Sequence, residues 1–141
     1  MSKYKEVQTQ FRNIDSLKAA LTKLGIQFES AQLGQTVTLR TSWSGMYSNV
    51  DREVTIAVNR ESAVHADMGN FDGFGFKWNG SSFEMIQDHL DQESRQFERK
   101  FGLLKQEYAN QEVRRQARLR GYNVSEQRRA DGTIALTLMR R

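Results

Sequence analysis

The chain contains no cysteine and no proline. Without cysteine there is no disulfide, no thiolate nucleophile and no cysteine-based zinc site. The main mark of a secreted disulfide scaffold is therefore missing. Without proline, turns must come from Gly, Asn, Asp and Ser. No apolar run approaches the roughly 20 residues that span a bilayer, and Met1-Ser2-Lys3-Tyr4-Lys5-Glu6 lacks the apolar stretch of a signal peptide. Histidine is almost absent. His65 has no second His nearby, and His89 sits beside Asp88 and Asp91. A mononuclear metal site wants three or four protein ligands, and the two aspartates suit a helix start, where the dipole favours acids. No serine lies in a nucleophile elbow, and no Cys–His pair exists. These gaps predict a cytoplasmic chain with no catalytic centre, no cofactor and no metal. No repeat, linker or low-complexity stretch divides it, so residues 1–141 read as a single domain.

What is present suits an ordered protein. The 141 residues are 38% hydrophobic and 27% charged, enough to bury a core without covalent staples. The net charge of +4 is unevenly placed. Residues 112–141 carry eight arginines against Glu112, Glu126 and Asp131, a net of +5. Such an end suits an acidic protein, a nucleic acid or an anionic surface, or is simply a solvated helix face with a frayed tail.

The periodicities predict an order. Tyr4 to Phe11 alternates as a strand. Asn13 and Asp15 are candidate N-caps. Leu17, Ala20, Leu21 and Leu24 then mark one helix face, which Gly25 ends. Val37 to Arg40 and Val54 to Val58 read as strands around a Ser/Gly/Asn-rich loop, Ser42 to Val50. Phe74 to Trp78 and Phe83 to Gln87 flank Asn79-Gly80, the signal of a type I′ turn. A long helix runs from about Glu93 to Arg120, with Phe97, Phe101, Leu104 and Tyr108 as its stripe, continued by Val113 and Ala117. Gly121 ends it. Tyr122 to Gln127, Asp131-Gly132 and Thr133 to Met139 form a closing hairpin, with Ile134, Leu136 and Leu138 predicted to be buried in the sheet. The fold class is α+β: a mostly antiparallel sheet covered on one face by two helices, a ferredoxin-like or related sandwich.

Three groups of residues are candidates for function. Asp72-Gly73-Phe74-Gly75-Phe76-Lys77-Trp78 resembles the RNP1 strand of RNA-recognition motifs, whose aromatics stack on bases. It has Asp72 where a phosphate-binding Lys or Arg belongs, and Asn79 where the closing aromatic belongs. The same alternation of Phe74, Phe76 and Trp78 also suits plain packing, with the glycines easing a bend. Trp43, Met46 and Tyr47 in the loop form either a partner patch, since interfaces favour aromatics and Met, or a loop folded onto the core. Arg114, Arg115, Arg118, Arg128 and Arg129 are the cationic candidates for a partner or a nucleic acid.

Gly75-Phe76 and its hairpin, the long helix with Tyr108 and Val113, Gly121-Tyr122, and Asp131-Gly132-Thr133-Ile134 with Leu136, Leu138, Arg140 and Arg141 recur in this order in a known family. Together with Met1 to Tyr4 and Leu17 to Gly25 they resemble the family of hypothetical chloroplast open reading frame thirty-five. The resemblance covers most of the chain and is loosest from Glu29 to Met68. It implies a cyanobacterial or plastid setting, hence cytoplasm or plastid stroma. Some bacterial relatives are encoded with AAA-type ATPases, so it also implies an accessory or assembly role with an ATPase or an assembly intermediate as partner. It carries no catalytic residue over to this chain. The expected function is a non-enzymatic protein-interaction module. RNA binding through the basic end and the RNP1-like strand is the alternative, and an enzyme of unrecognised type the second.

Overall fold

A computed structural model describes residues 4–40, 52–68, 73–88 and 95–140, without side-chain detail at 4–8, 88 and 134. The Ser42–Val50 loop with Trp43, Met46 and Tyr47, and also Asp72, His89, Asp91, Glu93 and Arg141, lie outside the described residues.

Strand β1 (Tyr4–Gln8) leads into helix α1 (Ile14–Lys23). The Asn13 side chain accepts the Ser16 amide at 2.9 Å and satisfies one of the helix's free N–H groups. Leu17, Ala20 and Leu21 are buried as their spacing predicts, and Gly25 takes the left-handed φ of +74° that ends the helix. Then follow β2 (Glu29–Ser30), β3 (Val37–Leu39), β4 (Arg52–Val54), β5 (Ile56–Val58), the short α2 (Arg60–His65), β6 (Phe74–Trp78), β7 (Phe83–Asp88), the 25-residue α3 (Arg95–Leu119), β8 (Tyr122–Arg128) and β9 (Ile134–Arg140).

The main sheet has the order β1-β7-β6-β5-β2, and all its pairs are antiparallel. Its front face carries Ile56, Val58, Phe74, Phe76, Phe83 and Met85, which meet Leu17, Ala20 and Leu21 of α1 and Phe97, Leu104 and Tyr108 of α3 in one core. Fully burying such a side chain is worth about 1.5–3 kcal/mol, so this face dominates the fold. The fold is thus α+β with two helices over one face of an antiparallel sheet. It is the related sandwich and not the ferredoxin-like connectivity itself, because the closing hairpin gives no strand to the main sheet. β8 and β9 form a sheet of their own.

The back face is covered by the chain itself. Val54 to Val58 is one apolar run in sequence but two strands in space, broken at Thr55. The Thr55 amide donates to the Phe76 carbonyl at 2.8 Å, and its hydroxyl oxygen accepts the Trp78 amide at 3.0 Å in place of a ladder bond. The bend lets β4 leave the sheet and pair with β3. Leu39 and Val54 of this ribbon close over Ala57 and Ile86.

The turn between β6 and β7 corrects the type I′ expectation. Asn79 does not adopt the positive φ that such a turn requires; only Gly80 does, at +102°. Asn79 Oδ1 instead accepts the amides of Ser81 and Ser82, both at 3.0 Å, which builds a longer loop around its side chain.

Candidate interaction surface

The first half of α3 is fixed by the core, and the second half by polar locks. The Tyr108 hydroxyl accepts the amides of Arg12 and Asn13 at 2.9 and 3.0 Å, tying α3 to the entrance of α1. One turn later Glu112 accepts the Ser16 hydroxyl at 2.6 Å and the Arg115 guanidinium at 2.8 Å. The Arg115 hydrogen bond, helped by Ser16 and opposed by partial burial, holds the Glu112 carboxyl below its ordinary range.

A second flank of α3 carries Glu107, Asn110, Arg114 and Ala117, at helical spacing. Arg114 reaches Glu126 of β8 at 2.6 Å, so the closing hairpin folds back along this flank. Glu107, Asn110 and Ala117 are buried, and Glu107 accepts the side-chain amides of Gln111 at 2.9 Å and Asn110 at 3.3 Å. At its far end the hairpin closes in a type I turn with a bulge: the Gly132 amide donates to the Arg129 carbonyl and the Arg129 amide to the Thr133 carbonyl. Gly132 supplies the φ of +87°. Asp131 accepts the Thr133 hydroxyl and amide, which hold its carboxyl below the usual range.

All three carboxylates of the basic end are therefore engaged within it. Arg114 and Arg115 are ion-paired within the unit. Among the described residues, no carboxylate pairs with the exposed Arg118, Arg120, Arg128, Arg129 or Arg140. Arg140 lies 6.0 Å from the Tyr122 ring centroid, a cation–π contact that leaves its charge unneutralised.

The same unit exposes apolar side chains. Val113 is 46% exposed, Leu119 71%, Leu138 47% and Met139 61%. Two expectations are corrected here. Val113 does not continue the buried stripe, whereas Ala117 does. Leu138 is not buried in the sheet, because β9 belongs to a separate two-stranded sheet and not to the main one; Leu136 is only half-buried.

The RNP1-like strand is core. Phe74 and Phe76 are 1% and 0% exposed and pack edge-on against Phe97 and Phe11, with ring centroids 5.9 and 5.8 Å apart, so neither presents a face to a base. The glycines have a packing reason. A Cβ at Gly73 would lie 2.2 Å from the Val58 carbonyl oxygen, and one at Gly75 would lie 3.1 Å from a Val54 methyl. β5 and the back ribbon need that room.

Among the described residues no group of His, Asp and Glu gathers to hold a metal ion, and no helix is long and apolar enough to cross a membrane. A surface depression lined by Thr22, Gly25, Ile26, Gln27 and Phe28 contains no ionisable side chain.

The model of the family described as "Protein of unknown function (DUF1257)" matches residues 20–137, and the chain belongs to that family. The match takes in all of α3 and β8 and the first four residues of β9, and ends before Leu138, Met139 and Arg140. No curated protein and no solved structure matches the chain.

Proposed function

We propose that the chain is a non-enzymatic module that binds another protein through the unit formed by the end of α3 and the β8–β9 hairpin. One observation carries the reading: four exposed apolar side chains share this unit with five arginines that have no carboxylate partner among the described residues. Interface cores favour apolar side chains with Met and Arg, ringed by polar groups. A merely solvated basic face needs neither Leu119 nor Met139. The complementary partner surface is acidic. An ATPase or an assembly intermediate, in a cyanobacterial cytoplasm or a plastid stroma, is the partner and setting that the resemblance to the chloroplast open-reading-frame family favours.

The five arginines also suit a phosphate backbone, and this is the second reading. The apolar side chains among them favour protein. A benzophenone-bearing side chain placed at Met139, and in a separate chain at Leu33, distinguishes the two. After irradiation in a cyanobacterial lysate, a discrete protease-sensitive adduct is expected from position 139 and none from position 33. A nuclease-sensitive adduct supports the second reading, and no adduct from position 139 refutes both.

A further inference from the structure

We infer that β9 is an acceptor edge, onto which an extended acidic segment of the partner adds as a third strand. The inference rests on the reading of the helix–hairpin unit as a protein-binding surface and names how that surface is used.

The phase of the hairpin ladder shows which backbone groups are free. The Arg129 amide donates to the Thr133 carbonyl at 2.8 Å, so 129 and 133 form a hydrogen-bonded pair. Cα partners run from Arg128↔Ile134 to Tyr122↔Arg140 without a break. Hydrogen-bonded pairs alternate along an antiparallel ladder, so 127–135, 125–137 and 123–139 bond inward. The amides and carbonyls of Ile134, Leu136, Leu138 and Arg140 point away from β8. β8 is the strand that packs along α3, so β9 is the outer one, and among the described residues nothing pairs with its far side.

Proteins blunt such edges with charges, proline, bulges or short strands. β9 has none of these between Ile134 and Met139: the run Ile-Ala-Leu-Thr-Leu-Met is uncharged, unbulged and, with Arg140, seven residues long. It has the properties that β-augmentation uses, an open ladder for affinity and alternating side chains for specificity. Leu136 and Leu138 stand on one side and Ala135 and Met139 on the other.

Charge selects the occupant. Arg140 closes the strand, Arg128 and Arg129 stand at its start across the turn, and Arg118 and Arg120 lie at the hairpin's root, all without carboxylate partners among the described residues. A second copy would bring the same cations to the same edge and be repelled. An acidic extended segment is attracted.

Hydrogen exchange on the full chain tests this with two probe peptides, an octapeptide of alternating Glu and Val and its Lys–Val counterpart. The Glu–Val peptide is expected to slow exchange of the Leu136, Leu138 and Arg140 amides about tenfold or more, and the Lys–Val peptide to leave them unchanged. Leu138→Pro removes one outward N–H while sparing every inward bond, and should abolish the effect; Leu138→Ala keeps that N–H and should retain most of it. Three outcomes overturn the inference. They are no slowing, equal slowing by both peptides, and slowing in the free chain that grows with its own concentration, which would mark a second copy on the edge. If the Glu–Val peptide binds without slowing these amides while the position-139 adduct still forms, edge pairing fails and the protein-binding reading stands.

Discussion

Gln87 lies on the front face of β7, in line with Phe83 and Met85, and is 0% exposed. Across the ladders it faces Phe74 on one side and Lys5 on the other. Phe74 itself packs on Phe97, so the amide sits beside an aromatic cluster. Among the described residues, neither its Oε1 nor its Nε2 has a hydrogen-bond partner. A carboxamide offers two donors and an acceptor with two lone pairs, and burying one unpaired costs about 1–3 kcal/mol by protein mutational data. Gln87→Met keeps the length and nearly the volume while removing both polar atoms. It should therefore stabilise the chain by about 1–3 kcal/mol, which for a domain of this size is roughly 3–10 °C in Tm. Thermal melts by circular dichroism, with urea midpoints at unchanged m-value, measure it. A Gln87→Met chain that melts at or below the wild-type temperature would show that the buried amide is not a net cost. It would mean that the amide is bonded in solution and that its partner belongs in the description of this end of the sheet.

Other substitutions separate packing from function. Gly73→Ala should cost about 1–3 kcal/mol, because its Cβ would meet the Val58 carbonyl oxygen at 2.2 Å, whereas Gly102→Ala, with nothing within 4 Å, should gain up to about 1 kcal/mol of helix propensity; melts of both give opposite signs. Leu21→Ala should cost about 2–5 kcal/mol and Leu136→Ala only about 1–2, since Leu21 is fully buried and Leu136 half-buried, and equal losses would contradict the placement of β9 outside the core. The lowered Glu112 carboxyl stabilises the fold above the ordinary carboxylate range and loses that contribution as pH falls through its folded value. The stability gap between wild type and Glu112→Gln should therefore be widest near neutral pH and shrink on acidification; a gap constant with pH would argue against the ion pair.

The elements that were legible in the sequence are those with local causes. Asn13, the Leu17–Leu21 face and Gly25 define α1 within residues 13–25, and Gly121 and Gly132 mark the turns where positive φ is needed. Elements made by distant partners were not legible. Nothing near Thr55 announces that its hydroxyl will replace a ladder bond to Trp78, so β4 and β5 read as one strand. The two-residue β2 and six-residue α2 carry too short a pattern to register. The alternation of Ile134, Leu136 and Leu138 fixes which side chains share a face, but not whether a layer covers it. At the candidate surface, composition located the basic end. Which arginines remain free depends on Glu112, Glu126 and Asp131 finding partners, and the Arg114–Glu126 pair spans twelve residues. The RNP1-like run follows its packing reading: the glycines make room for the Val58 and Ile56 carbonyl oxygens and the Val54 methyls, and the aromatics fill the core.

The α3–hairpin unit is the proposed seat of the protein partner. Leu119, Met139 and Leu33 are all exposed apolar residues, but Leu33 lies between β2 and β3, far along the chain from the arginines. The direct measurement is the amount of partner retained from a lysate by the immobilised full chain, compared with Leu119→Asp/Met139→Asp and with Leu33→Asp, each confirmed to melt like wild type. The double change is expected to remove a stoichiometric partner, and Leu33→Asp to retain it in full. Retention of the partner by Leu119→Asp/Met139→Asp, or its loss from Leu33→Asp, would place the partner elsewhere on the surface.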